Sequence, residues 1–159
     1  MTIEIERKFI LPERPSDGRL GPGTQIRQGY IAEEDSVEVR VRITDDASNL
    51  TVKAGSGLSR TEVEVAISAA QAEALWPHTA GRRIEKTRHR VVLDDDTPDL
   101  VAEVDVYAGT LDGLCVAEVE FASEDVAASF DPPDWFGHEL TGDPAWSNAA
   151  LARHGRPDT

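Results

Sequence analysis

The chain has 159 residues, 40% of them hydrophobic, which suits one domain with a packed core and argues against wholesale disorder. Acids outnumber bases 30 to 16, for a net charge of −14, which excludes a general nucleic-acid binder with a basic footprint. There is no apolar run of the ~18–20 residues a membrane span needs, no signal-peptide layout at the start, and a single cysteine, Cys115, so a cytoplasmic protein without disulfide, cysteine-rich zinc site or membrane partner is expected.

Thr2–Leu11 alternates apolar and charged residues as far as Pro12 and predicts a strand. Residues 12–24, with three prolines and three glycines, read as loop. Gln25–Ala32 predicts a short strand weakened by Gly29. Val37–Ile43 predicts a clear one, with Val37, Val39, Val41 and Ile43 on one face and Glu38, Arg40 and Arg42 on the other. A turn cluster at Asp45–Asn49 leads into Leu50–Ala54, giving an antiparallel hairpin. Past a loop at Gly55–Ser59, Arg60–Ile67 alternates again. Ser68 and Gln71 then stand at capping-box spacing before a short helix, Ala69–Trp76, closed by Pro77. Ile84–Leu93, Leu100–Tyr107 and Leu114–Ala122 complete the strands, separated by the acidic turn Asp94–Asp99 and by Gly109 and Gly113. Glu124–Phe130 and Ala145–His154 read as short helices. The sum is one β-dominated α+β domain over 1–159, with about eight strands between about 2 and 122 and a helical part at about 123–155.

The polar faces of these strands are almost wholly ionic. Glu4, Glu6 and Lys8 share a face, as do Glu38, Arg40 and Arg42, then Glu62 and Glu64, then Lys86, Arg88 and Arg90, then Glu103 and Asp105, then Glu118 and Glu120, with Lys53 alone on its strand. At 29% charged residues, roughly four same-face charged triplets arise by chance, and four occur, so the count decides nothing. Their segregation by sign does carry information, because a solvated face mixes signs to avoid like-charge neighbours. Two readings stand at this point: solvated faces, or a closed barrel with its charges turned inward. Inward charge is tolerable only around water and ligands, and a polyanion with hard divalent cations satisfies both signs.

Glu4-Ile5-Glu6-Arg7-Lys8 fits the ExExK signature of the CYTH, or triphosphate tunnel metalloenzyme, superfamily. In order along the chain follow Gln28-Gly29-Tyr30-Ile31, Val39-Arg40-Val41-Arg42, Thr51-Val52-Lys53, Arg60-Thr61-Glu62-Val63-Glu64, Ile84-Glu85-Lys86-Thr87-Arg88, Glu103-Val104-Asp105 and Ala117-Glu118-Val119-Glu120. The segment Trp135–Asp143, with Ser147-Asn148-Ala149, resembles the C-terminal region of short bacterial members. The resemblance implies an eight-stranded antiparallel closed barrel with a few peripheral helices, hydrolysing or rearranging triphosphates with Mg²⁺ or Mn²⁺, two ions being expected. Carried over, Lys8, Arg40, Arg42, Lys53, Lys86 and Arg88 bind the triphosphate, with Arg90 ranked lower toward its strand end. Glu4, Glu6, Glu118 and Glu120 hold metal, with Glu62, Glu64, Glu103 and Asp105 as further carboxylates. Lys8, Glu4 and Glu6 lie where attack occurs, and Tyr30 is a candidate to orient water or a phosphate.

Other residues are read as structural. Cys115 has the apolar parity of its strand. His78, His89, His138 and His154 lack metal-ligand spacing. Gly55-Ser56-Gly57 lacks a P-loop ending, Asp94–Asp96 is a solvated turn, and Trp76, Trp135 and Trp146 pack helices over the barrel or form a homodimer surface. The expected activity is metal-dependent hydrolysis of inorganic tripolyphosphate to pyrophosphate and phosphate. Thiamine triphosphatase and class IV adenylyl cyclase are the alternatives within the family, and a non-catalytic polyphosphate-binding module or an acidic β-barrel adaptor those outside it.

Overall fold

The computed structural model describes residues 2–97 and 99–158; Pro98, in the expected turn at 94–99, and the two terminal residues of the expected domain lie outside them. Alternating segments become strands β1 (Thr2–Ile10), β2 (Gly23–Glu34), β3 (Val37–Ile43), β4 (Ser48–Ala54), β5 (Ser59–Ile67), β6 (Arg83–Val92), β7 (Val101–Ala108) and β8 (Cys115–Glu120). All neighbours are antiparallel, and the sheet closes in the order β1-β5-β4-β3-β2-β6-β7-β8. Closure leaves every strand with one face toward an interior and one toward the outside, which is why the period of two runs through nearly the whole barrel.

Strand β2 is longer than the predicted Gln25–Ala32, and its glycines explain why. Gly23 and Gly29 lower strand propensity, but each marks a close approach: a Cβ on Gly29 would lie 2.6 Å from Thr79, and one on Gly23 2.6 Å from His89 and Thr87. A four-residue helix α1 (Asp17–Leu20) occupies part of the predicted loop at 12–24, where Leu20 is buried in the core. Helix α2 (Ala69–Leu75) has the expected capping box, with Ser68 Oγ accepting from Gln71 N and Gln71 Oε1 from Ser68 N. It ends at Leu75, and Trp76–Thr79 tightens into a 3₁₀ turn because Pro77 has no amide hydrogen to continue the α-helix. Helix α3 spans Glu124–Ser129. The predicted helix Ala145–His154 is broken: Pro144–Trp146 form a 3₁₀ turn, and Ser147, in extended conformation, caps a new helix α4 (Asn148–His154) by accepting from Ala150 N.

The core has two parts. Outside the barrel wall, Phe9, Val104, Ala117, Val119 and Phe121 pack with Phe136, Ala127 and Leu20. Inside one end of the barrel, Ile10, Tyr30, Ile84, Tyr107 and Val116 meet Leu140, Trp146, Ala149 and Leu151 from the C-terminal segment. That segment reaches the barrel because β5 begins only opposite Ile5, leaving the rest of the β1 edge unpaired. Residues 137–140 take the vacant edge, with Gly137 N bonded to Ile10 O at 2.7 Å and Leu140 N to Lys8 O at 2.7 Å. An apolar floor thus closes part of one end, and the charged remainder of the interior forms a cavity.

Candidate active site

Strand order sorts the charges. Around the barrel, β4, β3, β2 and β6 form one continuous arc carrying Lys53, Arg40, Arg42, Lys86 and Arg88, and β7, β8, β1 and β5 form the other, carrying Glu103, Asp105, Glu118, Glu120, Glu4, Glu6, Glu62 and Glu64. Between them lies a cavity of about 420 Å³ lined by Glu4, Glu6, Lys8, Arg40, Arg42, Lys53, Glu62, Glu64, Arg88, Glu103, Glu118 and Glu120. Four residues break the sorting: Lys8 on β1, Arg60 on β5, Glu33 on β2 and Glu38 on β3. All four line the same cavity.

Most charges are held by the opposite arc. Lys53 Nζ lies 2.7 Å from Glu4 Oε2 and 3.1 Å from Glu62 Oε2. Arg88 donates from Nε and Nη2 to Asp105 at 2.7 Å each and pairs with Glu103. Lys86 Nζ, fully buried, bonds Asp105 Oδ2 at 2.6 Å. Lys8 Nζ donates to Trp146 O at 2.7 Å, which ties the cavity to the C-terminal segment. Arg42 Nε donates to Gln28 Oε1 at 3.0 Å, and Gln28 Nε2 to the Tyr30 hydroxyl at 2.6 Å.

Among the described residues two buried side-chain atoms stay without a hydrogen-bond partner, one on each arc. Arg40 Nε is a buried donor without a hydrogen-bond partner, and Glu118 Oε1 a buried acceptor without one, the Arg88 guanidinium standing off at 3.7 Å. A buried polar atom left unpaired is costly, and both side chains line the cavity, a cation on one arc and an acid on the other. The acids at that position are strained electrostatically. Burial, and then the Glu118 charge, pushes the Glu6 carboxyl up to about 8. Burial acts on Glu118 too, but Lys8, Arg88, Lys86 and Lys53 together hold it well below the usual carboxylate range. One member of the pair therefore carries a proton at neutral pH, which a divalent cation would displace. The donor set, carboxylate oxygens facing a lumen, is the chemistry that hard divalent cations take. Among the described residues no three acids converge beforehand on one point; Glu4, Glu62 and Glu103 pair with bases instead.

Of the sequence-predicted residues, the twelve named above line the cavity. Lys86 and Asp105 lie beneath its surface as a buried ion pair. Tyr30 is in the floor, fully buried, with its hydroxyl bonded to Gln28 and its acidity weakened by burial to a pKa of about 12. Arg90 is not among the residues lining the cavity: its side chain is 71% exposed, with Nη1 4.0 Å from Glu103 Oε1, and borders a neighbouring depression that shares Glu103 and Glu120 with the cavity. Arg60, Glu38 and Asn148 line the cavity without having been predicted as site residues. The parity signal for Arg60 and Glu38 is present in the sequence, but sorting strands by sign hides both, since each is the minority charge on its strand. Asn148, whose Oδ1 accepts from the Tyr107 hydroxyl at 2.5 Å, comes from the C-terminal segment, which no pattern ties to the lumen.

A family model described as CYTH domain matches residues 2–132. The chain belongs to the CYTH domain family. It is 47% identical over 150 residues to a protein named inorganic triphosphatase from Nitrosomonas europaea, covering 94% of this chain and 96% of that one. A second protein of that name, from Acetivibrio thermocellus, is 38% identical over 156 residues, covering 97% and 96%. The crystal structure of the inorganic triphosphatase NE1496 superposes with a TM-score of 0.69 at 42% identity over 99% of both chains. The PH1012 protein from Pyrococcus horikoshii OT3 shares the CYTH-type fold alone, at a TM-score of 0.57 and 16% identity over 79% of this chain and 83% of that one.

Proposed function

We propose that this CYTH protein is a metal-dependent inorganic triphosphatase, splitting tripolyphosphate into pyrophosphate and phosphate. The observation that carries it is the pair of buried, unsatisfied atoms on opposing arcs of one cavity, Arg40 Nε and Glu118 Oε1. A phosphate chain accompanied by divalent cations satisfies both together, the anion at the guanidinium and the cation at the carboxylate. The similarity to proteins named inorganic triphosphatase along nearly the whole chain supports the same substrate.

Arg40 and Arg42, adjacent on β3, offer planar forks to phosphate oxygens, and Gln28 fixes the Arg42 fork by accepting from its Nε. Arg88 is oriented by its double contact with Asp105, which lies behind it rather than in the lumen. These fixed donors stabilise charge that gathers on the phosphate oxygens as the anhydride bond breaks. Glu6 and Glu118, with Glu4 and Glu120 beside them, would hold Mg²⁺ or Mn²⁺. Divalent cations held there supply charge neutralisation and activate the attacking water. Lys8, fixed by the Trp146 carbonyl, places a positive charge among these acids without closing on any of them.

The test is a panel of tripolyphosphate, thiamine triphosphate, ATP, long-chain polyphosphate and pyrophosphate with Mg²⁺ or Mn²⁺ and identified products. Preferred turnover of tripolyphosphate, abolished by EDTA and restored by metal, is the expected result. Turnover of the metal-free protein would overturn the metal assignment, and preference for ATP with pyrophosphate release would favour a cyclase.

A further inference from the structure

Arg60 is the unexplained cation of the cavity. It lies on β5 with the acidic residues Glu62 and Glu64, opposite Glu4 in the β1–β5 register. Its guanidinium stands 3.7 Å from Glu6 Oε1 and 3.9 Å from Glu38 Oε1, too far for a hydrogen bond to either, and makes no side-chain hydrogen bond among the described residues. Only 22% of the side chain is exposed. Gly55, which follows β4 and lines the same cavity, takes a positive φ of 102° that disfavours any other residue. An arginine held in place by two flanking carboxylates, with its donors unspent, is oriented but not satisfied.

Strand order gives its position meaning. In the eight-membered ring, β5 stands four strands from β6, the farthest separation the ring allows, and Arg60 and Arg88 both line the cavity, with Arg40 and Arg42 on β3 between them. A longer phosphate chain held by Arg88 is therefore better placed to reach Arg60 than a shorter one.

We propose that Arg60 is a further substrate-binding residue that grips the far terminal phosphate of the chain and so sets the preference for three phosphates over two. This rests on the triphosphatase reading above and adds to it a residue and a specificity. Neither carboxylate beside Arg60 takes a hydrogen bond from it, so its fork is free to meet phosphate oxygens in bidentate fashion.

The experiment compares wild type with Arg60→Ala, Arg60→Met, which keeps part of the apolar stem, and Arg60→Lys. It reads KM for tripolyphosphate and the inhibition constant of pyrophosphate at saturating Mg²⁺, with the tripolyphosphate-induced rise in melting temperature in EDTA as a readout free of turnover. Loss of a charge-assisted contact is expected to raise KM roughly tenfold or more. The pyrophosphate constant should move less than about twofold, kcat should change little, and Lys should restore part of the loss. The ligand-induced thermal shift should shrink in the Ala and Met variants. Equal weakening of both ligands would overturn the proposal in favour of a general charge effect. An unchanged KM would overturn it outright, and recovery of KM at higher Mg²⁺ would place Arg60 with the metal-holding acids instead. A wild type that neither binds nor splits tripolyphosphate would defeat the triphosphatase reading itself, a result read before any variant is compared.

Discussion

Glu6 and Glu118 are two carboxylates in one confined place, and the fold keeps them there by letting one hold a proton. The Glu6 carboxyl is raised to about 8 from an ordinary 4.5, chiefly by burial and then by Glu118. A raised acid binds its proton more tightly folded than unfolded, so its contribution to stability is complete below about 4.5 and lost as pH climbs through about 8. In EDTA the melting temperature should therefore fall between pH 5 and about 8.5, and Glu6→Gln should flatten that slope. Lys86, pulled down by burial to about 7, slopes the other way above neutrality, so the difference between wild type and variant is the quantity to measure. If Mg²⁺ is held by Glu6 as proposed, it displaces that proton on binding, so Mg²⁺ affinity by titration calorimetry should rise with pH up to about 8. Glu118→Gln should lose activity at low Mg²⁺ and regain part of it at high Mg²⁺, with the apo protein as stable as wild type or more so, because a like-charge contact is gone. Unchanged Mg²⁺ dependence in that variant would count against the site. Across the lumen, Arg40→Ala should cost roughly 2–4 kcal/mol in kcat/KM, and Arg40→Lys should rescue poorly for want of the planar fork. These roles follow from pairings that no single strand discloses: Asp105 shares the parity of Glu103, yet it lies beneath the cavity, bonded to Lys86 and Arg88.

Elements with a complete local signature were legible in the sequence. The β3 bounds Val37–Ile43 and the Ser68/Gln71 capping box stand as predicted, since alternation and capping are set within a few residues. Ser68→Ala should cost about 1 kcal/mol in urea melts and leave kcat and KM alone, because α2 lies on the outside of the barrel. The C-terminal segment is the opposite case. Its residues 137–140 pair with β1 only because β5 starts late, and Ser147 restarts a helix that the apolar pattern had run together with Pro144–Trp146. Its contribution is to the floor. Leu151→Ala should cost roughly 2–5 kcal/mol through the cavity it leaves, and should also raise KM, because the same segment supplies the Trp146 carbonyl that fixes Lys8. Loss of stability with unchanged KM would show that the floor does not reach the site.

For the molecule as a whole, the acidic arc is expected to make the empty barrel less stable than one filled with divalent cations. Mg²⁺ at about 100 times its Kd should stabilise the protein by about 2.7 kcal/mol, read as a rise in melting temperature that EDTA reverses. The sequence by itself determined the strands, their two faces and the sign of charge on each, because a period of two and local charge are written residue by residue. It also carried the family, through the order of its ionic motifs. Tertiary structure alone decided which way the charged faces point and which strands stand side by side. Strands from distant parts of the chain, β1 with β5 and β2 with β6, close the ring, and that order merges scattered charges into two opposed arcs. It also decided which charges reach the lumen: Lys86 and Asp105 satisfy each other beneath it, Arg90 stays exposed outside its lining, and Arg60 enters. The reason is physical. Alternation fixes a side chain's face, whereas its reach, its partners and the dielectric around it depend on neighbours supplied by other strands.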